Sequence, residues 1–207
     1  MGWICRSFYT RRTHFMKQLY KSLVIPHLDY CSQLWMPVEI FQIEQVEKLQ
    51  RDFFRKVPEL KDKNYWEALK QMQMLSVQRR MERYRIIYCW KILNGLAPNC
   101  GLEEVENSCE TRQGRRIKVP NNKSTAETEK LRQQSFQFNG PLLFNTLPAK
   151  IRNMKKCLVE DFKTELDKYI ETIPDEPKID GMNPNASDNR GKVGRYSNSL
   201  LFQTRRS

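Results

Sequence analysis

The chain has 207 residues, enough for one or two domains, and its 39% hydrophobic content allows a packed core. No apolar run reaches the roughly 18 residues of a membrane span, and no apolar signal segment precedes Arg6. We therefore expect an intracellular protein, nuclear or cytoplasmic. The net charge of +12 favours a polyanionic partner. Six cysteines without a C-x-x-C pair, and two histidines, argue against a zinc site, and we expect no metal and no cofactor here.

The first predicted elements are a kinked pair of helices and an amphipathic helix. Apolar residues at helical spacing predict a helix over residues 13–24. Pro26 interrupts it and fits the first turn of a second short helix over 27–35. Residues 39–57 are apolar on one half of the helical wheel and charged on the other, which predicts an amphipathic helix.

Two further helices complete the first hundred residues. Asn64 can cap a short helix over 65–72. Ser76 can cap the longest helix, 77–94, and Gly95 can terminate it. The second half of this long helix, IIYCWKIL, is apolar nearly all round, which is typical of a helix buried between others. We expect it to be the central helix of the first subdomain.

The second half of the chain is less regular. A short strand is possible at 116–119, and residues 131–138 fit either a helix or a strand. Pro141 can start a short helix, with a further turn at Pro148. The periodicity of 158–171 predicts a last amphipathic helix.

The predicted fold is mostly α. We expect a helical bundle, a loop-rich linker, a smaller C-terminal helical segment and a disordered tail rich in Pro, Asn, Ser and Gly. The corresponding ranges are 1–97, 98–130, 131–172 and 173–207.

Lys48, Arg51 and Arg55 are the first candidates for binding nucleic acid, since they share one face of the third helix. The i, i+4 pairs Glu44–Lys48 and Glu47–Arg51 favour a salt-bridged, solvated face as the alternative.

A second basic cluster lies at the start of the long helix. Arg79, Arg80 and Arg83 have only Glu82 as a nearby acid, and three arginines within five residues suit phosphate contacts as well as tertiary structure. A third basic group, in a loop, could grip a nucleic-acid backbone, although a solvated loop is the favoured interpretation: Arg112, Arg115, Arg116 and Lys118.

Aromatic residues make up 11% of the chain. Tyr20, Trp35 and Trp66 could stack on bases, but their helical spacing favours core packing.

The ordered motifs of this chain resemble the C-terminal, thumb and post-thumb region of reverse transcriptases from non-LTR (LINE-type) retrotransposons. The most informative segment is 19–37, and the similarity holds, in the family's order and spacing, over about 175 residues from Gly2 to Pro177. The segments that carry it are LYKSLVIPHLDYCSQLWMP, IEQVEKLQRDFFRKVPEL, YWEALKQMQMLSVQRRMERYRIIYCWKILNGL, FNTLPAKIRN and FKTELDKYI.

The resemblance implies a thumb-like bundle over 1–97 that packs against an RNA or DNA template–primer. The complete family member is an RNA-directed DNA polymerase that needs Mg²⁺, held by carboxylates including an adjacent Asp-Asp. This chain has no Asp-Asp pair and no other catalytic motif, so we expect no catalytic residues. The palm and fingers, a further expected partner, would lie upstream of Met1. The alternatives are a helical protein-interaction module, docked through an exposed apolar half of the long helix, and a truncated remnant without function.

Overall fold

The computed structural model describes residues 2–37, 39–105, 114–120, 128, 131–132, 134–175 and 200. Within these residues the regular structure is helical, apart from isolated bridge positions, among them the antiparallel bridge between Glu104 and Ile117. The predicted mostly α, bundle-like fold is therefore confirmed. The helices are α1 Gly2–Ser7, α2 Thr13–Leu23, α3 Ile25–Asp29, α4 Ser32–Trp35, α5 Ile40–Phe54, the 3₁₀ turn Pro58–Leu60, α6 Tyr65–Met72, α7 Val77–Leu93, α8 Phe136–Asn145, α9 Ala149–Arg152 and α10 Val159–Glu171.

The helix predicted over 27–35 is instead two short helices, α3 and α4. Cys31 lies between them in the left-handed region, with φ of 51°. A residue in this backbone conformation cannot continue a right-handed helix, so the chain turns sharply at Cys31. The indole N–H of Trp35 donates to the carbonyl of Tyr30 at 2.7 Å and holds the turn.

The central position predicted for the longest helix is confirmed, since α7 contacts α3, α4 and α5 and also α8 and α10. Its start is capped as expected, because the hydroxyl of Ser76 accepts the backbone N–H of Arg79 at 3.1 Å. Gly95 follows its end with φ of 71°, a conformation that glycine adopts without strain.

The apolar half of α7 is buried against the C-terminal segment. Ile86, Ile87 and Trp90 are all enclosed. The indole of Trp90 stacks on Phe162 of α10 with ring centroids 4.6 Å apart, and its N–H donates to the carbonyl of Met154 at 2.7 Å. This burial confirms the interpretation of α7 as a helix buried between others, and it contradicts the exposed apolar half that the protein-interaction alternative requires.

Two hydrophobic cores flank α7. The first joins α2, α5 and α6 and includes Met16, Tyr20 and Phe53. The second joins the end of α7 to α8 and α10 and includes Phe144 and Leu166. The segment 131–172 thus shares a core with α7, while the predicted domain boundaries stay predictions.

Part of the predicted linker, 98–130, packs on the second core, although residues 98–101 are exposed. Leu102 and Ile117 are buried in the second core. The backbone of Ile117 exchanges two hydrogen bonds with the side-chain amide of Asn145, at 2.9 and 2.8 Å. The strand expected over 116–119 is reduced to the single bridge, and Arg112 lies outside the described residues.

The sequence predicts that a short helix starts at Pro141. Helix α8 begins five residues earlier, at Phe136. Gly140 explains its close packing on α7. A Cβ at this position would lie 2.8 Å from the sulfur of Cys89 and 3.0 Å from the ring of Phe136, so only glycine allows this approach of the two helices.

The predicted disordered tail, 173–207, lies mostly outside the described residues. Its first residues run along α7, where Asp175 meets Ser76. Leu200 is buried in the second core, and its N–H donates to the carboxylate of Glu82 at 3.0 Å.

Candidate nucleic-acid interface

Arg79 is enclosed at the start of α7, with its side chain 0% exposed. Its guanidinium donates to the carbonyl of Pro174 at 3.1 Å and lies 3.6 Å from the carboxylate of Asp175. Asp175 also accepts the N–H and hydroxyl of Ser76, at 2.7 and 2.8 Å. Arg79 therefore ties the end of the C-terminal segment to the cap of α7.

Arg80 forms a buried ion pair with Asp29 of α3, in which the side chains are 10% and 12% exposed and the Nε–Oδ1 distance is 2.7 Å. The hydroxyl of Tyr84 donates to the other carboxylate oxygen at 2.9 Å. Burial acts to lower the pKa of Arg80, but the attraction of Asp29 outweighs it and leaves the pKa above its ordinary value. A second nitrogen of Arg80 reaches Gln50 at 3.4 Å.

The guanidinium of Arg83 donates two hydrogen bonds to the carboxylate of Asp167 in α10, from Nε at 2.5 Å and from Nη2 at 2.7 Å. This bidentate bond raises the pKa of Arg83. The three α7 arginines thus connect this helix to three other segments of the same chain. Phosphate contacts need exposed guanidinium groups. Arg79 and Arg80 are buried, so the geometry argues against the prediction that they bind phosphate and favours their alternative role in tertiary structure.

The basic face of α5 points to solvent. Lys48 and Arg55 are exposed, and Arg51 is half-buried. Arg55 meets Asp52 at 3.6 Å, but the side chains are 64% and 44% exposed, so this pair stabilises the fold little. The guanidinium of Arg51 lies over the ring of Tyr65, 5.2 Å from its centroid.

The predicted Glu47–Arg51 salt bridge is replaced by a different contact. Glu47 is buried, and its carboxylate accepts the hydroxyl of Tyr65 at 2.5 Å and the backbone N–H of Gln78 at 2.8 Å. Burial raises the pKa of Glu47, and these hydrogen bonds oppose the shift without cancelling it. Glu47 therefore does not neutralise Arg51, whose charge faces outward.

A polar network that sequence reasoning missed crosses the first core. The hydroxyl of Tyr20 donates to the side-chain oxygen of Gln50 at 3.1 Å, and the amide of Gln50 donates to the carbonyl of Leu75 at 3.1 Å. Arg80 donates to the same oxygen of Gln50. The signal in the sequence is only a glutamine on the apolar side of α5, which is too common to predict a network.

Arg85 is a second missed residue. It is buried, and its guanidinium donates to the carbonyls of Gln33, Met36 and Gln134, at 3.2, 3.4 and 3.5 Å. Burial lowers its pKa to about 10. It braces α4 against α7, which leaves it no role at the surface.

The aromatic candidates for base stacking fall into two groups. Tyr20 is fully buried, so stacking on bases is excluded for it. Trp35 is 42% exposed, and Trp66 is half-buried on α6. The two tryptophans therefore keep accessible ring surface.

A cavity of about 450 Å³ lies between α6 and the end of α10. Its wall is mainly apolar, with Asp167, Glu171 and Asp175 among the polar residues. The wall carries these three carboxylates against two cations, Lys70 and Arg83, so its net charge does not favour a phosphate.

No cluster of three His, Cys, Asp or Glu residues that could hold a metal ion occurs in the described ranges. Among the same ranges no helix has the length and apolar character to cross a membrane. A search against family models, curated proteins and solved structures finds no match to this chain.

Proposed function

We propose that this chain is the C-terminal, thumb-like part of a non-LTR retrotransposon reverse transcriptase and binds nucleic acid without sequence preference. The motif order and the net charge of +12 support this proposal. The binding surface is the exposed face of α5 that carries Lys48, Arg51 and Arg55. Arg79, Arg80 and Arg83 hold the fold together beneath it.

The observation that carries the proposal is the contrast between the two basic clusters. The α7 arginines are bound by Asp175, Asp29 and Asp167. On α5, Lys48 is exposed and Arg51 rests on an aromatic ring, so their charge is available to phosphates.

In this proposal the chain has no catalytic residue and no cofactor of its own. Its partners are an RNA or DNA template–primer and the palm and fingers of the polymerase, inside the cell in the nucleus or cytoplasm. Mg²⁺ would be held by the palm of the complete polymerase.

The test is binding of a blunt RNA–DNA hybrid duplex, measured by fluorescence anisotropy at low salt. The triple variant K48Q/R51Q/R55Q should weaken binding at least 10-fold, because each lost cation removes a counterion-releasing phosphate contact. The matched control is K150Q/K156Q/K168Q, which removes the same charge from exposed positions outside α5. Equal losses in both variants, or no binding by the wild type, would overturn the proposal.

A further inference from the structure

A second cavity, of about 210 Å³, lies where the end of α5, the 3₁₀ turn and the start of α6 meet. Three cationic side chains line it, those of Arg51, Arg55 and Lys63. The other described residues that line it are uncharged: Phe54, Leu60, Asn64, Tyr65, Trp66 and Ala68. This is a concave site with concentrated positive charge and an aromatic wall.

Two of the three cations, Arg51 and Lys63, are positioned by uncharged partners. Arg51 lies over the ring of Tyr65, whose hydroxyl is fixed by the buried carboxylate of Glu47. Lys63 donates to the side-chain oxygen of Gln71, an uncharged partner. Arg55 has Asp52 at 3.6 Å on the solvent side. An anion in this cavity would therefore meet preorganised donors of opposite charge.

Trp66 supplies a flat apolar surface at the same place. Its ring packs on that of Tyr65 with centroids 5.0 Å apart, which fixes its orientation, and the residue is only half-buried. An indole held in this way can stack a base at little entropic cost.

We propose that this cavity is a nucleotide subsite, in which Arg51, Arg55 and Lys63 bind a phosphate and Trp66 stacks the attached base. The volume is below the roughly 300 Å³ of a typical ligand pocket, so it suits the phosphate and sugar, with the base on the open side. This inference rests on the proposed function and specifies how α5 engages an unpaired nucleotide. The shared chemistry is a phosphate joined to an aromatic base, either as a free mononucleotide or as a unit of a strand.

The test compares probes that differ by one group. Adenosine 5′-monophosphate, adenosine and inorganic phosphate are titrated by calorimetry, and a 5′-phosphorylated tetranucleotide by anisotropy. Adenosine monophosphate should bind at least 10-fold more tightly than either adenosine or phosphate. Tighter binding of the tetranucleotide than of the mononucleotide identifies a strand as the source, and the reverse identifies a free nucleotide.

The variants separate this subsite from the α5 face. W66L should weaken tetranucleotide binding roughly 10-fold, while W35L, the matched loss of another accessible tryptophan, leaves it unchanged. K63Q changes an exposed side chain outside the cores and should weaken binding of the mononucleotide, so the test does not depend on W66L folding.

The two proposals fail in different ways. The subsite would be overturned if W66L and K63Q bound the tetranucleotide with wild-type affinity. The proposed function would still stand if K48Q bound the duplex more weakly in the same experiments. Loss of duplex binding in W66L equal to its loss of tetranucleotide binding would also overturn the subsite, since a blunt duplex offers no unpaired base. Wild-type chain that binds mononucleotide but no duplex would overturn the proposed function instead.

Discussion

Arg80 is the residue at which charge and structural role can be separated most cleanly. Its guanidinium and the carboxylate of Asp29 are both nearly enclosed, 2.7 Å apart. Removing one partner of a buried pair leaves the other charge without compensation, and that residual charge dominates the cost. The Arg55–Asp52 pair has the same residue types but lies largely in water.

The variant R80M is therefore expected to lower the free energy of unfolding by about 3 kcal/mol. The matched control R55M should lower it by less than about 1 kcal/mol, because its pair is exposed. Urea denaturation measures both. The double variant D29N/R80M should recover part of the loss, since neither member of this pair then carries a charge. Equal, small losses for R80M and R55M would show that Arg80 is not a structural brace.

At the scale of elements, the start of α7 is joined to α5 and α6 through one carboxylate. Glu47 of α5 accepts the hydroxyl of Tyr65 from α6 and the N–H of Gln78 from α7. Its pKa is raised from 4.5 by burial. The folded state thus binds this proton more tightly than the unfolded state does. The contribution of Glu47 to stability is therefore fully present below its unfolded pKa and is lost as the pH rises through its folded pKa.

The variant E47Q removes this titration. Over the pH range that begins at the ordinary value of 4.5, the unfolding free energy of the wild type should fall relative to that of E47Q as the pH rises. Paired urea denaturation curves at several pH values give the difference directly. A constant difference across this range would contradict the raised pKa of Glu47.

Helix positions could be predicted where the signals are local. Thr13–Leu23, Tyr65–Met72 and Val77–Leu93 match the predicted ranges within a residue, because periodicity and flanking residues such as Ser76 define them. The break at Cys31 could not be predicted, since a non-glycine residue gives no sequence sign of a positive φ.

The early start of α8 depends on tertiary contact, which local periodicity does not contain. Glycine usually weakens a helix, yet in this fold Gly140 permits close packing against Cys89.

The candidate nucleic-acid interface was predicted only in part for a similar reason. Sequence gives the positions of basic residues, but the acids that bind Arg79 and Arg83 are far along the chain, at Asp175 and Asp167.

At the scale of the whole molecule, the net charge of +12 is divided between an interior and a surface role. The arginines of α7 join the two cores that flank this helix, and their acids hold them there. The cations of α5 and of the cavity at its end remain at the surface. If the proposed function holds, the α7 arginines do not add to the nucleic-acid contacts that the composition indicates.

The most direct measurement compares single-charge variants of the two clusters, K48Q and R83Q, through the salt dependence of duplex binding. Each phosphate contact contributes about 0.9 to the slope of log Kobs against log salt. K48Q should reduce the magnitude of the slope by about that amount, whereas R83Q, whose guanidinium is bound by Asp167, should leave the slope unchanged. A reduced slope in R83Q with a wild-type slope in K48Q would contradict the account.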